Sequence, residues 1–101
     1  MRLVLTGEAG SGKTTLAGEL AGPDTVVIDF DALAYALGSR VNHRDTPHRP
    51  AHRYAAELAW RALVRPAQRG DLGGDVIVIH AKPEPWAVAM YRSHGFTIRE
   101  L

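Results

Sequence analysis

Four residues near the start of the chain have the types and the spacing of a loop that binds phosphate groups. Residues 7–14 read GEAGSGKT and match the pattern G-x-x-x-x-G-K-[ST]. Glycines in such a loop let backbone N–H groups converge on a phosphate, and the positive end of the following helix adds to the attraction. Lys13 supplies charge for the outer phosphates, and the Thr14 hydroxyl is an oxygen ligand of the kind that Mg²⁺ prefers. The loop therefore predicts a site for a nucleoside triphosphate with Mg²⁺.

The predicted contacts with the nucleotide extend over the whole loop and one residue beyond it. Thr15 is expected to touch the α-phosphate, and the glycines are expected to adopt positive φ. The alternative is a chance match in a glycine-rich turn, but a buried strand before the loop and a helix after it argue against chance. The predicted set is Gly7, Ala9, Gly10, Ser11, Gly12, Lys13, Thr14 and Thr15.

Two carboxylates, Asp29 and Asp31, follow the second apolar run of the sequence. Residues two apart at the end of an extended strand project to the same side, so both side chains can face the loop. Two carboxylates placed together repel each other unless a cation or a proton lies between them, and Mg²⁺ is the natural cation here. The structural alternatives are an N-cap for Asp31 and a solvated strand end for Asp29.

Apolar runs and helix signals alternate along the chain and provide the elements that position these residues. Short β-branched or apolar runs predict strands over 3–5, 25–28, 76–79 and 96–101. Helix-compatible stretches with stop signals predict helices over 12–21, 32–37, 51–64 and 85–94. Strands that alternate with helices indicate a parallel sheet with right-handed crossovers. We expect residues 1–101 to form a single nucleotide-binding domain.

The helix over 51–64 is predicted to be amphipathic and to lie on the sheet. Tyr54, Leu58 and Leu63 fall on the apolar side, together with several alanines. A ladder of charged residues four apart, which begins with Arg53 and Glu57, falls on the opposite, solvent side. Pro66 is expected to end or kink the helix.

The motifs resemble those of the P-loop kinases of small molecules, a group that includes shikimate, gluconate and nucleotide kinases. The resemblance rests on GEAGSGKTT at 7–15 and VVIDFDAL at 26–33 and covers spacing over nearly the whole chain. The chain is also similar to short kinase-like or ATPase-like proteins of actinobacterial phages, which share a D-x-D-A-L-A segment and a strand ending in Ile-His. The resemblance implies a three-layer α/β/α P-loop NTPase fold with about four parallel strands in the order 2-3-1-4, without the lid and the fifth strand.

The resemblance also implies roles for individual residues and makes ATP the expected nucleotide. In those kinases the first carboxylate approaches Mg²⁺ and the second orients the acceptor hydroxyl as a base. By position, Asp29 joins Thr14 at the metal, and Asp31 joins Lys13 in catalysis. His80 stands where many P-loop NTPases carry an acid, which speaks against an AAA-type or helicase-type motor. It is expected either to contact the γ-phosphate or a water, or to be a satisfied strand-end histidine.

A basic segment follows the two carboxylates and is the predicted acceptor region. The guanidinium group of arginine can bind a carboxylate or a phosphate of the acceptor through two hydrogen bonds. The alternative is that the segment is a solvated loop. Arginines that stabilise the transferred phosphate would have to come from Arg44, Arg49 or Arg92, or from another subunit. The predicted acceptor contacts are Asp31, Arg40, Arg44, Arg49 and His80.

Composition narrows the range of functions. The formal net charge of +1 gives no general attraction to nucleic acid or to anionic membranes. The lack of cysteine excludes disulfides and Cys-based zinc sites. No apolar run is long enough for a membrane span, and no secretion signal is seen, so a cytoplasmic protein is expected.

The leading prediction is therefore an ATP-dependent kinase that moves the γ-phosphate to a hydroxyl of a small-molecule or nucleotide-like acceptor. One alternative is a nucleotide-binding regulatory or assembly module without turnover. Another is a kinase that processes nucleic-acid ends. The absent lid points to a homo-oligomer or to a partner chain that supplies it.

Overall fold

The computed structural model describes residues 1–41 and 46–101, which form four strands and four helices. The predicted acceptor contact Arg44 lies outside these residues. In chain order the elements are β1 (Arg2–Thr6), α1 (Lys13–Leu20), β2 (Val26–Asp29), α2 (Phe30–Ala36), α3 (Pro50–Gln68), β3 (Val76–Ile79), α4 (Pro85–Ser93) and β4 (Thr97–Glu100).

The four strands form one parallel sheet in the order β2-β3-β1-β4, as predicted. The central strands β1 and β3 are continuous apolar runs because both of their faces are covered by helices. Leu5 of β1 and Asp29 of β2 both pair with Ile79 of β3. The carboxyl ends of these three strands therefore lie side by side at one edge of the sheet.

Helices cover both faces of the sheet. Helix α1 packs through Ala17 against Leu5 and Ile77 on one face, whereas α3 and α4 pack through Val64 and Tyr91 on the other face. The chain leaves β1 towards α1 and leaves β3 towards α4, so two neighbouring strands send their connections to opposite faces. In open parallel sheets this arrangement creates a crevice at the carboxyl ends of the two strands.

Helix α3 buries a different stripe from the one that the sequence predicted. Tyr54 and Leu58, which were expected to face the sheet, are 65% and 51% exposed. Trp60 is partly buried against the core. The apolar pattern was misleading because small residues let the helix approach its neighbours closely, and the large apolar residues on the other side stay in solvent. The buried residues are Ala56, Val64, Ala67 and Gln68.

The prediction that Pro66 ends or kinks α3 is wrong as to the end, because the helix continues to Gln68. A proline in the last turn removes a single intrahelical hydrogen bond, and the buried residues that follow it hold the backbone in place. The Asp71 N–H then donates to the Pro66 carbonyl oxygen at 2.8 Å. The connection to β3 passes through two exposed glycines, Gly73 and Gly74, at the amino end of the sheet.

Candidate functional site

A cleft of about 840 Å³ lies at the carboxyl ends of β1, β2 and β3. The loop between β1 and α1, residues 7–12, forms one wall and is called the glycine loop below. Helix α3 forms the opposite wall, and the start of α2 lies between the two. The residues that bear polar groups of interest are Lys13, Thr14, Thr15, Asp29, Asp31, Arg53, Glu57, Trp60, Arg61, His80, Lys82 and Glu84.

The glycine loop has the backbone shape that its sequence predicts. Gly7, Gly10 and Gly12 adopt φ of 135°, 82° and 93°, which other residues rarely adopt. A Cβ atom at Gly7 would also lie 2.9 Å from the backbone oxygen of Leu101. Gly12 is the N-cap of α1, so the first N–H groups of that helix open towards the cleft. A loop of this form can surround a phosphate group with backbone donors.

Lys13 is buried at the base of the glycine loop, and its ammonium group binds the loop itself. The Nζ atom donates to the carbonyl oxygens of Gly7 at 2.8 Å and Glu8 at 2.6 Å. It also donates to Ser11 Oγ at 3.3 Å. These three acceptors match the three donors of an ammonium group. An anion that binds Lys13 must therefore replace at least one contact, and the long bond to Ser11 is the weakest of them.

Thr14 and Asp29 are joined directly across the floor of the cleft. The Thr14 hydroxyl donates to Asp29 Oδ2 at 3.1 Å, and Asp29 Oδ1 accepts from the Asp31 N–H at 3.1 Å. Asp29 is therefore the N-cap of α2, which begins at Phe30. The alternative role of Asp31 as the N-cap is wrong. Asp29 still has extended backbone, and its side chain reaches the second N–H of the helix, as N-cap residues do.

The pair of oxygens from Thr14 and Asp29 fits Mg²⁺. Both are hard oxygen donors, and they lie 3.1 Å apart at the edge of the glycine loop. Within residues 1–41 and 46–101, no three or more His, Cys, Asp or Glu residues form a metal-binding group. Magnesium needs no such group, because it is usually held by one or two carboxylates together with substrate phosphates and water.

His80 follows β3 and is both hydrogen-bonded and open to the cleft. Its Nδ1 atom lies 3.0 Å from the Tyr91 hydroxyl, and its ring stands edge-on to Trp60 at 4.8 Å between centroids. Burial lowers the pKa of His80. Burial also raises the pKa of Tyr91 to about 12, against a smaller opposing effect of the hydrogen bond with Gln68. A neutral imidazole at this place can exchange hydrogen bonds with a ligand or a water.

The far wall of the cleft includes the charged ladder of α3, which was predicted to face solvent, and Trp60. Arg53, Glu57, Trp60 and Arg61 of α3 all line it, and Arg61 forms an ion pair with Glu57. The arginines and the glutamate are four apart, so they share one face of the helix. The signal that could have revealed this wall is a tryptophan beside a charged ladder, since a large ring seldom sits on a fully solvated face.

Arg40 and Arg49, the described arginines among the predicted acceptor contacts, do not line the cleft. The Arg40 guanidinium donates to the carbonyl oxygens of Ser39 at 2.9 Å and Tyr35 at 3.4 Å. Arg49 is exposed at the N-cap of α3. Arg92 lines a second pocket on the other side of the glycine loop. Of the described acceptor predictions, Asp31 and His80 are the ones that the fold brings into the cleft.

Ser39 and His48, two polar residues that follow the carboxylates, are buried, so the alternative of a solvated loop does not hold for these two. His48 packs behind Asp31, with Nε2 at 2.7 Å from Asp31 Oδ1. Ser39 Oγ lies 2.6 Å from Nδ1 of the same ring. Ser39 and His48 are thus linked to the carboxylate that faces the cleft.

The described part of the chain is an α/β fold, with helices on both faces of a four-stranded parallel sheet and a cleft at the carboxyl ends of the strands. Comparisons with protein-family models, with curated proteins and with solved structures found no match to this chain. None of the described helices is long and apolar enough to span a bilayer.

Proposed function

We propose that this protein binds ATP with Mg²⁺ and transfers the γ-phosphate to a hydroxyl group of a small-molecule or nucleotide-like acceptor. The observation that carries the proposal is the hydrogen bond between Thr14 and Asp29 beside the glycine loop. The same cleft is lined by this magnesium-type ligand pair, by Lys13 with its buried ammonium group and by Asp31 with its carboxylate. The choice of ATP among nucleotides rests on the resemblance of the sequence to small-molecule kinases.

The residues of the chain divide the work of the reaction. The backbone N–H groups of the glycine loop hold the β-phosphate, and Lys13 exchanges a loop contact for a phosphate oxygen. The acceptor oxygen forms a bond to the γ-phosphorus while the bond to the β–γ bridging oxygen breaks, and the nucleoside diphosphate leaves. The hydroxyl proton passes to the carboxylate of Asp31, which acts as the base.

Thr14 and Asp29 would hold the metal ion. Bound there, Mg²⁺ supplies neutralisation of phosphate charge. Catalysis in this scheme comes from positioning and charge stabilisation, because phosphoryl transfer requires little covalent chemistry from the protein. Trp60 and the charged residues of α3 face the acceptor side of the cleft, and their mixed charges suit a compact polar acceptor better than a polyanion.

The proposal is tested by titrating ATP into the protein in a calorimeter, with and without Mg²⁺, and then assaying transfer to a panel of hydroxyl acceptors. Lys13→Ala should abolish both binding and transfer. Asp31→Asn should bind MgATP like the wild type and lose transfer by about 100-fold or more, the usual effect of removing a general base. Arg65→Ala removes an exposed cation of α3 that does not line the cleft, so it is the control and should keep binding. Equal loss of binding in the Lys13 and Asp31 variants would contradict these roles.

A nucleotide-binding regulatory module without turnover is the second candidate. It is favoured by the placement of Arg40 and Arg49, which lie outside the cleft and so leave the transferred phosphate without those two cations. Magnesium-dependent binding that is lost in Lys13→Ala, with no product from any acceptor and no hydrolysis of ATP, would support this candidate over the kinase.

A further inference from the structure

Ser39, His48 and Asp31 form a continuous hydrogen-bonded chain that the proposed reaction does not yet use. Ser39 Oγ lies 2.6 Å from His48 Nδ1, and His48 Nε2 lies 2.7 Å from Asp31 Oδ1. Ser39 and His48 are buried, whereas Asp31 is partly exposed and lines the cleft. The histidine therefore stands behind the carboxylate, on the side away from the ligand space.

The chain of three residues has the composition of a hydrolytic triad but cannot act as one. In such a triad the serine faces Nε2 of the histidine and the acid faces Nδ1. Here the two ring nitrogens have exchanged partners. Ser39 is also only 1% exposed, so its oxygen cannot reach a substrate. The arrangement must act through Asp31, the one member that reaches the cleft.

The hydrogen bonds specify the tautomer of the histidine ring. An ionised carboxylate only accepts hydrogen bonds, so His48 must donate from Nε2 to Asp31. The other nitrogen of a neutral ring then accepts, and Ser39 is the donor that occupies it. An edge contact with Tyr35 at 5.3 Å and a tilted contact with Phe30 at 6.2 Å between ring centroids help to hold the His48 ring in place.

We infer that Ser39 and His48 are positioning residues that fix the rotation of the Asp31 carboxylate. The backbone of Asp31 is held by its N–H bond to Asp29, and the bond from His48 restricts the rotation of the carboxylate. A base must point at the proton that it removes, and small errors of orientation lower the rate strongly. The inference rests on the proposed function, in which Asp31 takes the acceptor proton.

The first arm of the test observes the ring directly and needs no turnover. The full chain is labelled with ¹⁵N, and the His48 ring nitrogens are assigned by comparison with His48→Gln. The wild type should carry a proton on Nε2, the nitrogen that faces Asp31. Asp31→Ala removes the acceptor of the Nε2–H bond and should shift the ring towards a mixture of the two tautomers. A wild-type ring that is protonated on Nδ1 alone would overturn the inference.

The second arm measures kinetics in variants that separate orientation from folding. His48→Leu should lower kcat about 10- to 100-fold, as the loss of an orienting partner usually does, with unchanged affinity for MgATP. His48→Gln places an amide N–H near the position of Nε2 and should recover most of the rate. His94→Leu, an exposed histidine outside the cleft, is the matched control.

The outcomes of the two arms distinguish the inference from the proposed function. Equal kcat in the wild type and in His48→Leu, with the Nε2–H tautomer present, would overturn the positioning role alone. Loss of MgATP affinity in His48→Leu in parallel with kcat would also overturn it, because a general structural defect would then explain the rate. A wild type that binds MgATP but transfers phosphate to no acceptor would overturn the proposed function and the positioning role together.

Discussion

Asp29 uses its two carboxylate oxygens for two different purposes. One oxygen caps α2 through the Asp31 N–H, and the other accepts from the Thr14 hydroxyl at the edge of the glycine loop. The residue that begins a helix is therefore the same residue that faces the phosphate side of the cleft. The position of Asp31 relative to the glycine loop therefore depends on the Asp29 side chain, because Asp29 is hydrogen-bonded to both Asp31 and Thr14.

His80 makes the stability of the protein sensitive to acid. Burial lowers its pKa, so the unfolded chain binds a proton at higher pH than the folded chain does. This stability contribution is fully present above the unfolded pKa of about 6.5 and is lost as the pH falls towards the lower folded value. We expect the free energy of unfolding to fall more steeply between pH 7 and pH 5 in the wild type than in His80→Asn.

The measurement is urea unfolding at several pH values, with His94→Asn as the control. The control should keep the wild-type slope, because His94 is exposed at the end of α4. Identical slopes in the wild type and in His80→Asn would show that burial of the imidazole has no effect on folding.

At the scale of single elements, the local sequence predicts where the strands lie. It does not predict which side of α3 is exposed. Val76–Ile79 is an unbroken β-branched run, and the strand has the predicted bounds. The glycine loop is equally local, because its shape depends on glycines at fixed positions. Which side of α3 faces the core depends on residues from β2, β3 and α4 that lie far away in sequence. The cleft wall formed by Arg53 and Arg61 was missed for the same reason.

Helix α3 supplies a direct test of which stripe stabilises the fold. Val64→Ala should lower the free energy of unfolding by about 1 to 2 kcal/mol, because Val64 lies in the core and the change leaves a cavity. Leu58→Ala removes more apolar volume from an exposed position and should cost no more than about 0.5 kcal/mol. Chemical denaturation of the two variants measures both values. A larger loss of unfolding free energy in Leu58→Ala than in Val64→Ala would instead support the helix orientation that the apolar pattern predicts.

At the scale of the whole molecule, the described residues are compact, but the β2 edge strand carries exposed apolar side chains. The radius of gyration is 13.2 Å, close to the value of about 13 Å expected for 100 residues. Among the described residues, β2 and β4 are the edge strands of the sheet. Val27 of β2 pairs with Ile77 of β3, which packs in the core on the α1 side, but Val27 itself is exposed.

The exposed apolar edge predicts self-association at high protein concentration. An edge strand with unpaired backbone groups and apolar side chains can pair with another copy, and a lysine on such a strand opposes pairing. Val27→Lys should reduce the concentration-dependent increase in mass seen by light scattering, with little change in the midpoint of unfolding. Thr97→Lys, on the other edge strand, is the comparison. Monomeric wild-type protein at every concentration would show that the β2 edge is already protected.

The connection through Gly73 and Gly74 has a practical consequence. These residues precede β3, whereas the cleft begins where β3 ends, so the four residues of the strand separate the two by about 10 Å. A Cβ atom at either glycine would meet nothing within 4 Å, but Gly74 has a φ of 76°, so a side chain is better placed at Gly73. A fluorescent label or a short peptide tag inserted there would follow the protein through binding and unfolding while leaving the ligand space unchanged.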